Sequence, residues 1–374
     1  MIYDVAVVGG GLVGAALAYG LRTGEHACER VAVLDEGDVA YRASRGNFGL
    51  VWVQSKGLGM PAYSAWTQAS ARAWPGLAAA LLARTGVDVH LEQNGGLNAL
   101  LSEQEAEFWV NHMTRLMAQP GMPQYQWQLL ARNELADLVP GIGPDVQGAI
   151  WTPLDGIVNP LKLLRALHIA FDRLQVDYLP RRAVTHIRQA NGVFAIDNSG
   201  ERIRAHKIVL AAGLGNAALG EQLGMHVPVR PQRGQIIVLE RTRRMLEVPM
   251  MTLRQMDEGT WIIGDSAEEA GYQDHVAKLG ILGVQAARAV RILPALRAVR
   301  AVRTWSALRV MSADGWPIYQ QSETMPGAFV ATCHSGVTLA AAHASVLAPM
   351  IARGRLDDVL APFATRRFHV QAAQ

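Results

Sequence analysis

The chain opens on an apolar run, Val5-Ala6-Val7-Val8, that passes directly into Gly9-Gly10-Gly11-Leu12-Val13-Gly14. A second apolar run, Val31-Ala32-Val33-Leu34, ends on Asp35. Short continuous apolar runs bounded in this way predict strands buried on both faces, with a helix between them. Strand, G-x-G-x-x-G turn, helix, strand and terminal acid together form a dinucleotide-binding βαβ unit. Gly9 permits the tight turn, Gly11 lets the backbone approach a pyrophosphate, and Gly14 lets the helix pack on the sheet. The helix N-terminus offers free N–H groups and partial positive charge to phosphates. Asp35, 21 residues after Gly14, can accept hydrogen bonds from a ribose diol.

Further along, Trp66, Ala69, Ala73 and Leu77 recur at helical spacing within roughly 63–85. Val87-Asp88-Val89-His90-Leu91 alternates like a strand, and Gly95-Gly96 turns into Leu97-Asn98-Ala99-Leu100-Leu101. Ser102 followed three residues later by Glu105 predicts a capped helix start. Asp155-Gly156-Ile157-Val158-Asn159-Pro160 is read as a turn, with Pro160 starting a helix to about Leu174. Strands are expected at 183–187 and 193–196, paired across Asn191-Gly192. Another is expected at Ile208-Val209-Leu210-Ala211-Ala212-Gly213, ending on a glycine. More strands follow near 234–239, 249–254, 260–264 and 328–331, and the chain returns to the first domain through 304–309. Residues 337–351 read as a buried helix. Nucleotide-domain pieces therefore fall at 1–85, 146–225 and 304–374. A second, β-rich domain is expected from insertions 86–145 and 226–303.

The 374-residue chain is half hydrophobic and 18% charged, which suits a two-domain globular protein. Its net charge of +3 is too small to argue for nucleic acid or an anionic membrane. Cys28 and Cys333 make neither a disulfide framework nor a metal site, and they suit a reducing cytoplasm. No signal peptide or membrane-spanning run is read, so no stable membrane insertion is expected. Arg288, Arg291, Arg297, Arg300 and Arg303 recur mostly every three residues and read as a basic helical face interrupted by Pro294, either solvated or docking a partner subunit or an acidic surface.

Eight motifs in order give the chain a specific resemblance. They are the fingerprint with Asp35, Ala43-Ser44…Asn47…Gly49-Leu50, Gly95-Gly96-Leu97 and Asp155-Gly156…Pro160. Then come Val209-Leu210-Ala211-Ala212-Gly213, Gly234-Gln235, Leu308-Arg309…Asp314-Gly315…Pro317 and Cys333-His334-Ser335-Gly336-Val337-Thr338-Leu339. The chain resembles FAD-dependent amine oxidoreductases of the D-amino-acid oxidase and glycine oxidase class. Its closing motif is most like the β subunits of heteromeric opine oxidases and D-hydroxyproline dehydrogenases. The resemblance implies an α/β fold: a discontinuous Rossmann-like FAD domain with an antiparallel-sheet substrate domain.

It also implies non-covalent FAD. The ADP half would lie on Gly9, Gly11 and Gly14 with Asp35 at the ribose. Ser44 and Arg45 would neighbour the pyrophosphate, Val184 would meet the adenine, and Gly213 would allow close backbone approach. Asn47, Gly49 and Leu50 would approach the isoalloxazine. Gly336, Val337 and Thr338 would offer N–H groups to its pyrimidine edge. The reaction implied is oxidation of an amino acid or secondary amine next to a carboxylate, D-hydroxyproline or an opine among them. Hydride would go to the flavin, and electrons would pass to partner subunits. Arg309 is the candidate carboxylate clamp, since guanidinium matches a carboxylate bidentately; a structural salt bridge is its alternative. The resemblance implies Pro after this arginine, where Val310 stands. His334 is a candidate proton acceptor or pocket residue, or a histidine satisfied at a strand end. Two other functions remain open at this point: a stand-alone oxidase using O2, and a non-catalytic nucleotide-binding subunit.

Overall fold

The computed structural model describes residues 1–24, 26–37, 42–264 and 266–368. The expected nucleotide-domain residues 369–374 lie outside them. The main sheet has eight strands. Its parallel centre runs Asp177–Leu179, Val31–Leu34, Tyr3–Val8, Ile203–Leu210 and Ala328–Thr332, with Ile318–Gln321 antiparallel at the edge. Alternation explains why the first strand reads as continuously apolar. Val5 and Val7 enter a core shared with helices Leu12–Thr23, Pro61–Thr85 and Pro160–Leu174. Ala6 and Val8 enter a second core on the opposite face. Val31 and Val33 against Ala32 and Leu34 divide in the same way. The hairpin Val184–Ala190/Val193–Asn198 joins the antiparallel side of Ile203–Leu210. Its turn places Asn191 at φ +51° and Gly192 at φ +74°, the left-handed geometry that Asn-Gly tolerates.

The second sheet is antiparallel. Its spine is the pairing of Val229–Arg241 with Ala301–Ser312, extended by Thr260–Ile263, Leu253–Gln255 and Glu268–Glu269. A three-stranded sheet, Gly96–Leu100, Gly148–Thr152 and Gln128–Ala131, packs with it. Leu97 exchanges backbone hydrogen bonds with Pro249 and Met251. Leu97, Leu130 and Leu135 share one core with Ile237, Trp261, Leu282 and Ile292. Both insertions therefore contribute to a single body.

Several sequence expectations change. The boundary expected at 146 cuts off Gly148–Thr152, the central strand of the small sheet, which pairs with both its neighbours. The boundary expected at 304 divides Ala301–Ser312, which belongs to the second sheet along its length. Residues 87–91 are not a strand: His90 takes φ +49°, and pairing starts at Glu92 opposite Ile157. The basic run is not one solvated helical face. Helix Leu279–Ile292 ends before Pro294, and Arg303 lies on a strand. Arg288 grips Glu105 at 2.7 Å and Arg291 meets Asp145 at 2.7 Å, tying the two insertions together. The final segment enters through a turn at 336–339, and its helix contains a π-turn at His343–Leu347. Among the described residues no helix is long and apolar enough to cross a membrane.

Candidate active site

The first strand delivers the chain into Gly9 at φ +108°. A Cβ there would fall on the Ala211 carbonyl, and one at Gly14 would fall on the Gly9 carbonyl oxygen. These two glycines let helix Leu12–Thr23 and the end of strand Ile203–Leu210 close around the turn. Ser44 Oγ accepts from Leu12 N at 2.9 Å, holding the 43–46 turn against the helix start. A Cβ at Gly11 would stand 2.6 Å from the same oxygen. Asp35 is held by the turn it serves: Oδ2 accepts from Gly10 N at 2.5 Å and Oδ1 from Gly37 N at 2.8 Å. His168 donates through Nε2 to the Gly10 carbonyl at 2.8 Å, a contact no local motif signals.

From this turn a cavity of about 850 Å³ runs to the second sheet. It is lined by Gly9, Gly11, Asp35, Ser44, Arg45, Asn47, Gly49, Leu50, Val184, Gly213, Arg309, His334, Gly336, Val337 and Thr338. All the singled-out residues except Gly14 thus meet on one wall system; Gly14 packs beneath the turn.

The middle of the cavity is built by residues distant in sequence. Gly49, at φ +85°, has Val158, Pro160 and the Arg254 guanidinium where a Cβ would go. Arg254 is buried, donates to Val158 O at 2.8 Å and lies over the Phe48 ring. Burial lowers its pKa to about 9. Thr338 Oγ1 accepts from Trp52 N and donates to Leu50 O, both at 3.1 Å, which ties the closing turn to the 50–52 segment. Trp74 and Ser70 donate to the Thr338 carbonyl from behind. The N–H groups of Gly336, Val337 and Thr338 have no backbone partner among the described residues.

At the far end Arg309 stands opposite Gln232 in the spine of the second sheet. Its Nη1 donates to the carbonyls of Ser266 and Arg233. A Cβ at Gly234 would lie 2.6–2.7 Å from the guanidinium, so the Gly234-Gln235 motif makes room for this arginine. Gln235 is fully buried and fixes the neighbouring loop, accepting from Lys278 N at 2.7 Å. Arg309 is therefore anchored to carbonyl groups at the cavity rim.

His334 is solvent-accessible through the open cavity, although protein surrounds it on its other sides. Burial, followed by the charges of Lys56 and Arg309, pushes its imidazole pKa down to about 3. Burial pushes the Cys333 thiol up to about 12, so it stays protonated near neutral pH. Beside them Ser335 Oγ meets Lys56 Nζ at 2.8 Å and Tyr63 OH at 2.9 Å. Lys56 and Tyr63 carry no sequence motif. Asp155 is not simple turn chemistry. It is fully buried, and Oδ1 accepts from Val53 N and Gln54 N, anchoring the segment that presents Lys56. Burial raises the Asp155 pKa to about 8. Asn159 caps helix Pro160–Leu174 by accepting from Lys162 N.

These walls fit FAD. The glycine turn lines one end of the cavity and can pack there against Ala211 and Ser44 only without side chains, and the helix start presents N–H groups. The Asn47 side-chain oxygen, buried on the wall, has no partner. The FAD dependent oxidoreductase (DAO) family model matches residues 4–350. The chain belongs to that family, and it is an FAD-dependent enzyme. Among its relatives, the B subunit of opine oxidase from Agrobacterium tumefaciens (strain Ach5) is 45% identical, with 99% of each chain covered. A glycine oxidase of Geobacillus kaustophilus (strain HTA426) is 27% identical, covering 98% of this chain and 97% of the relative. A crystal structure of glycine oxidase from Geobacillus kaustophilus superposes with TM-score 0.86 at 26% identity, covering 97% of this chain and 98% of that one.

Proposed function

We propose that the cavity oxidises an amino acid or secondary amine next to a carboxylate, an opine or D-hydroxyproline among the candidates, and that electrons leave to a partner subunit. The observation that carries this is Arg309, a cation held at the cavity rim by carbonyl groups and given room by Gly234. A guanidinium so held can take a carboxylate bidentately and fix the neighbouring C–H bond. FAD, when bound, supplies the acceptor for the hydride.

In this scheme Gly9, Gly11 and Gly14 shape the ADP cradle, and Asp35 receives the ribose hydroxyls. Ser44 and Arg45 flank the pyrophosphate, Val184 faces the adenine, and Gly213 leaves space for the cofactor. Asn47, Gly49 and Leu50 wall the isoalloxazine. The Gly336, Val337 and Thr338 N–H groups face its pyrimidine edge, where oriented donors stabilise developing negative charge. His334 lines the substrate space as a neutral imidazole, because a group held near pKa 3 takes up a proton poorly at neutral pH. The protonated Cys333 thiol supports non-covalent FAD.

The involvement of a partner is supported by the opine oxidase relative, which is itself one subunit of its enzyme. Two unpaired cysteines support a cytoplasmic setting. Anaerobic addition of amine carboxylates to the FAD-loaded chain tests the proposal. Bleaching of the flavin by such amines is expected. A flavin that no amine carboxylate bleaches favours a nucleotide-binding subunit without turnover.

A further inference from the structure

Arg254 is a buried cation set behind the cavity wall. It stands on strand Leu253–Gln255, opposite Ile262 of strand Thr260–Ile263, and only 1% of it is exposed. Its neighbours on the strand face the other way. Leu253 enters the core of the second body, while Gln255 accepts from Met245 N and donates to the Thr242 carbonyl. Arg254 therefore faces the 46–49 segment, where Gly49 gives it room. A Cβ at Gly49 would lie 2.8 Å from Arg254 Nη1. Gly49 itself, at φ +85°, lines the cavity. The guanidinium also lies 5.2 Å over the ring of Phe48, another lining residue. A Cβ at Gly264 would stand 2.5 Å from that ring, so the second sheet fixes Phe48 as well.

The charge is not cancelled where it sits. The acids within electrostatic reach are Glu92, Glu258 and Asp257. Glu92 is paired with Arg244, and Asp257 with Lys162 at 2.7 Å. Glu258 is exposed. No carboxylate among the described residues forms an ion pair with Arg254; its Nη1 donates to Val158 O, and its Nε has no partner. Burying an unpaired cation costs more than one hydrogen bond returns. An apolar side chain would fill the same space at lower cost, so packing gives no reason for the charge. Burial lowers its pKa to about 9, which leaves it protonated at neutral pH.

Resting on the proposed placement of the isoalloxazine against Gly49, we infer that Arg254 raises the reduction potential of the flavin by favouring the negative charge of the reduced ring. Hydride leaving the substrate carbon carries two electrons and a proton to the ring. The ring goes from neutral to singly negative, and the amine is left as an iminium cation. The donors of the Gly336–Thr338 turn meet that charge with N–H dipoles. Arg254 adds a full positive charge from the 47–50 side, in a dry region where screening is weak. It needs no contact with substrate or cofactor, because its field acts across Gly49.

Redox titration and sulfite binding of the FAD-loaded chain test this without turnover. Sulfite adds to the oxidised ring and leaves negative charge on it, so it reads the same field. Arg254→Met and Arg254→Gln should each weaken sulfite binding roughly tenfold or more. They should lower the two-electron midpoint potential by about 30 mV or more, the equivalent of tenfold. Arg254→Lys should restore most of both. Ile262→Glu, opposite Arg254 in the ladder, brings a carboxylate to the guanidinium and should lower the potential in the same direction. That variant keeps the arginine, and so carries the test where its deletion costs too much stability. Wild-type potential and sulfite affinity in a flavin-loaded neutral variant overturn the inference. Weaker FAD binding alone also overturns it, by making Arg254 a tie between Val158 and the second sheet. Equal losses in the Met, Gln and Lys variants do so too, since charge is then not the cause. A crystal structure of the FAD-loaded chain separates the two failures. A ring against Gly49 with unchanged potentials removes the role of Arg254 alone, whereas a ring elsewhere removes the placement on which it rests.

Discussion

On the proposed reading Arg309 governs substrate binding in this cavity, while Asp155 bears on its stability. Arg309→Lys keeps the charge but removes the planar fork, so KM for an amine carboxylate should rise roughly tenfold or more while flavin content stays constant. Gly234→Ala leaves every charge in place and puts a methyl group where the guanidinium lies. It should reproduce the same KM defect in steady-state kinetics; an unchanged KM would separate the arginine from substrate. Asp155 makes a pH prediction. Its folded pKa is raised from 3.8 to about 8, mainly by burial. The folded state therefore keeps a proton that the unfolded chain has lost. That stabilisation is complete below pH 3.8 and disappears as pH rises through about 8, with a slope of at most about 1.4 kcal/mol per pH unit. Urea unfolding across pH 4–8 should show this slope flattened in Asp155→Asn.

Local elements whose signals lie within a few residues can be tested one at a time. Ser102 Oγ accepts from Glu105 N at 3.1 Å, and Glu105 accepts from Leu101 N at 2.9 Å. Ser102→Ala should cost about 1 kcal/mol in denaturant unfolding, as loss of an N-cap does. That helix start is legible in sequence because the cap and its partner are three residues apart. The two strands around the glycine turn and its helix are legible through continuous apolar runs, and the helix opened by Pro160 through a proline at the first helical position. Residues 87–91 mislead because apolar alternation also occurs in an irregular segment, broken by the left-handed His90, whose pairing starts only at Glu92. Gly148–Thr152 reads as part of the neighbouring domain because its pairing with Gly96–Leu100 is set about 50 residues away. At the site, glycines and Arg309 stand in recognisable motifs, whereas Lys56 and His168 do not. Their positions depend on Ser335 and on Gly10, contacts created only by the tertiary fold.

At the scale of the molecule, the fingerprint end and the Arg309 end of one cavity come from two bodies threaded through each other in sequence. The protonated Cys333 makes a prediction for the assembled holoenzyme: acid precipitation should leave the flavin in the supernatant. A yellow pellet would mean a covalent tether. Delivery of electrons to a partner predicts slow reoxidation of the reduced flavin by O2 in stopped flow, beside rapid reoxidation by an artificial acceptor; fast reaction with O2 would make the chain a stand-alone oxidase. We propose FAD along the cavity, with its reactive ring between the 47–50 segment and the Gly336–Thr338 turn, facing Arg309. A crystal structure of the FAD-loaded chain with a bound thioether carboxylate measures that placement. The adenosine end is expected beside Asp35, with a carboxylate oxygen within hydrogen-bond reach of the Arg309 guanidinium. A carboxylate bound away from Arg309, or an isoalloxazine lying outside those two segments, would contradict it.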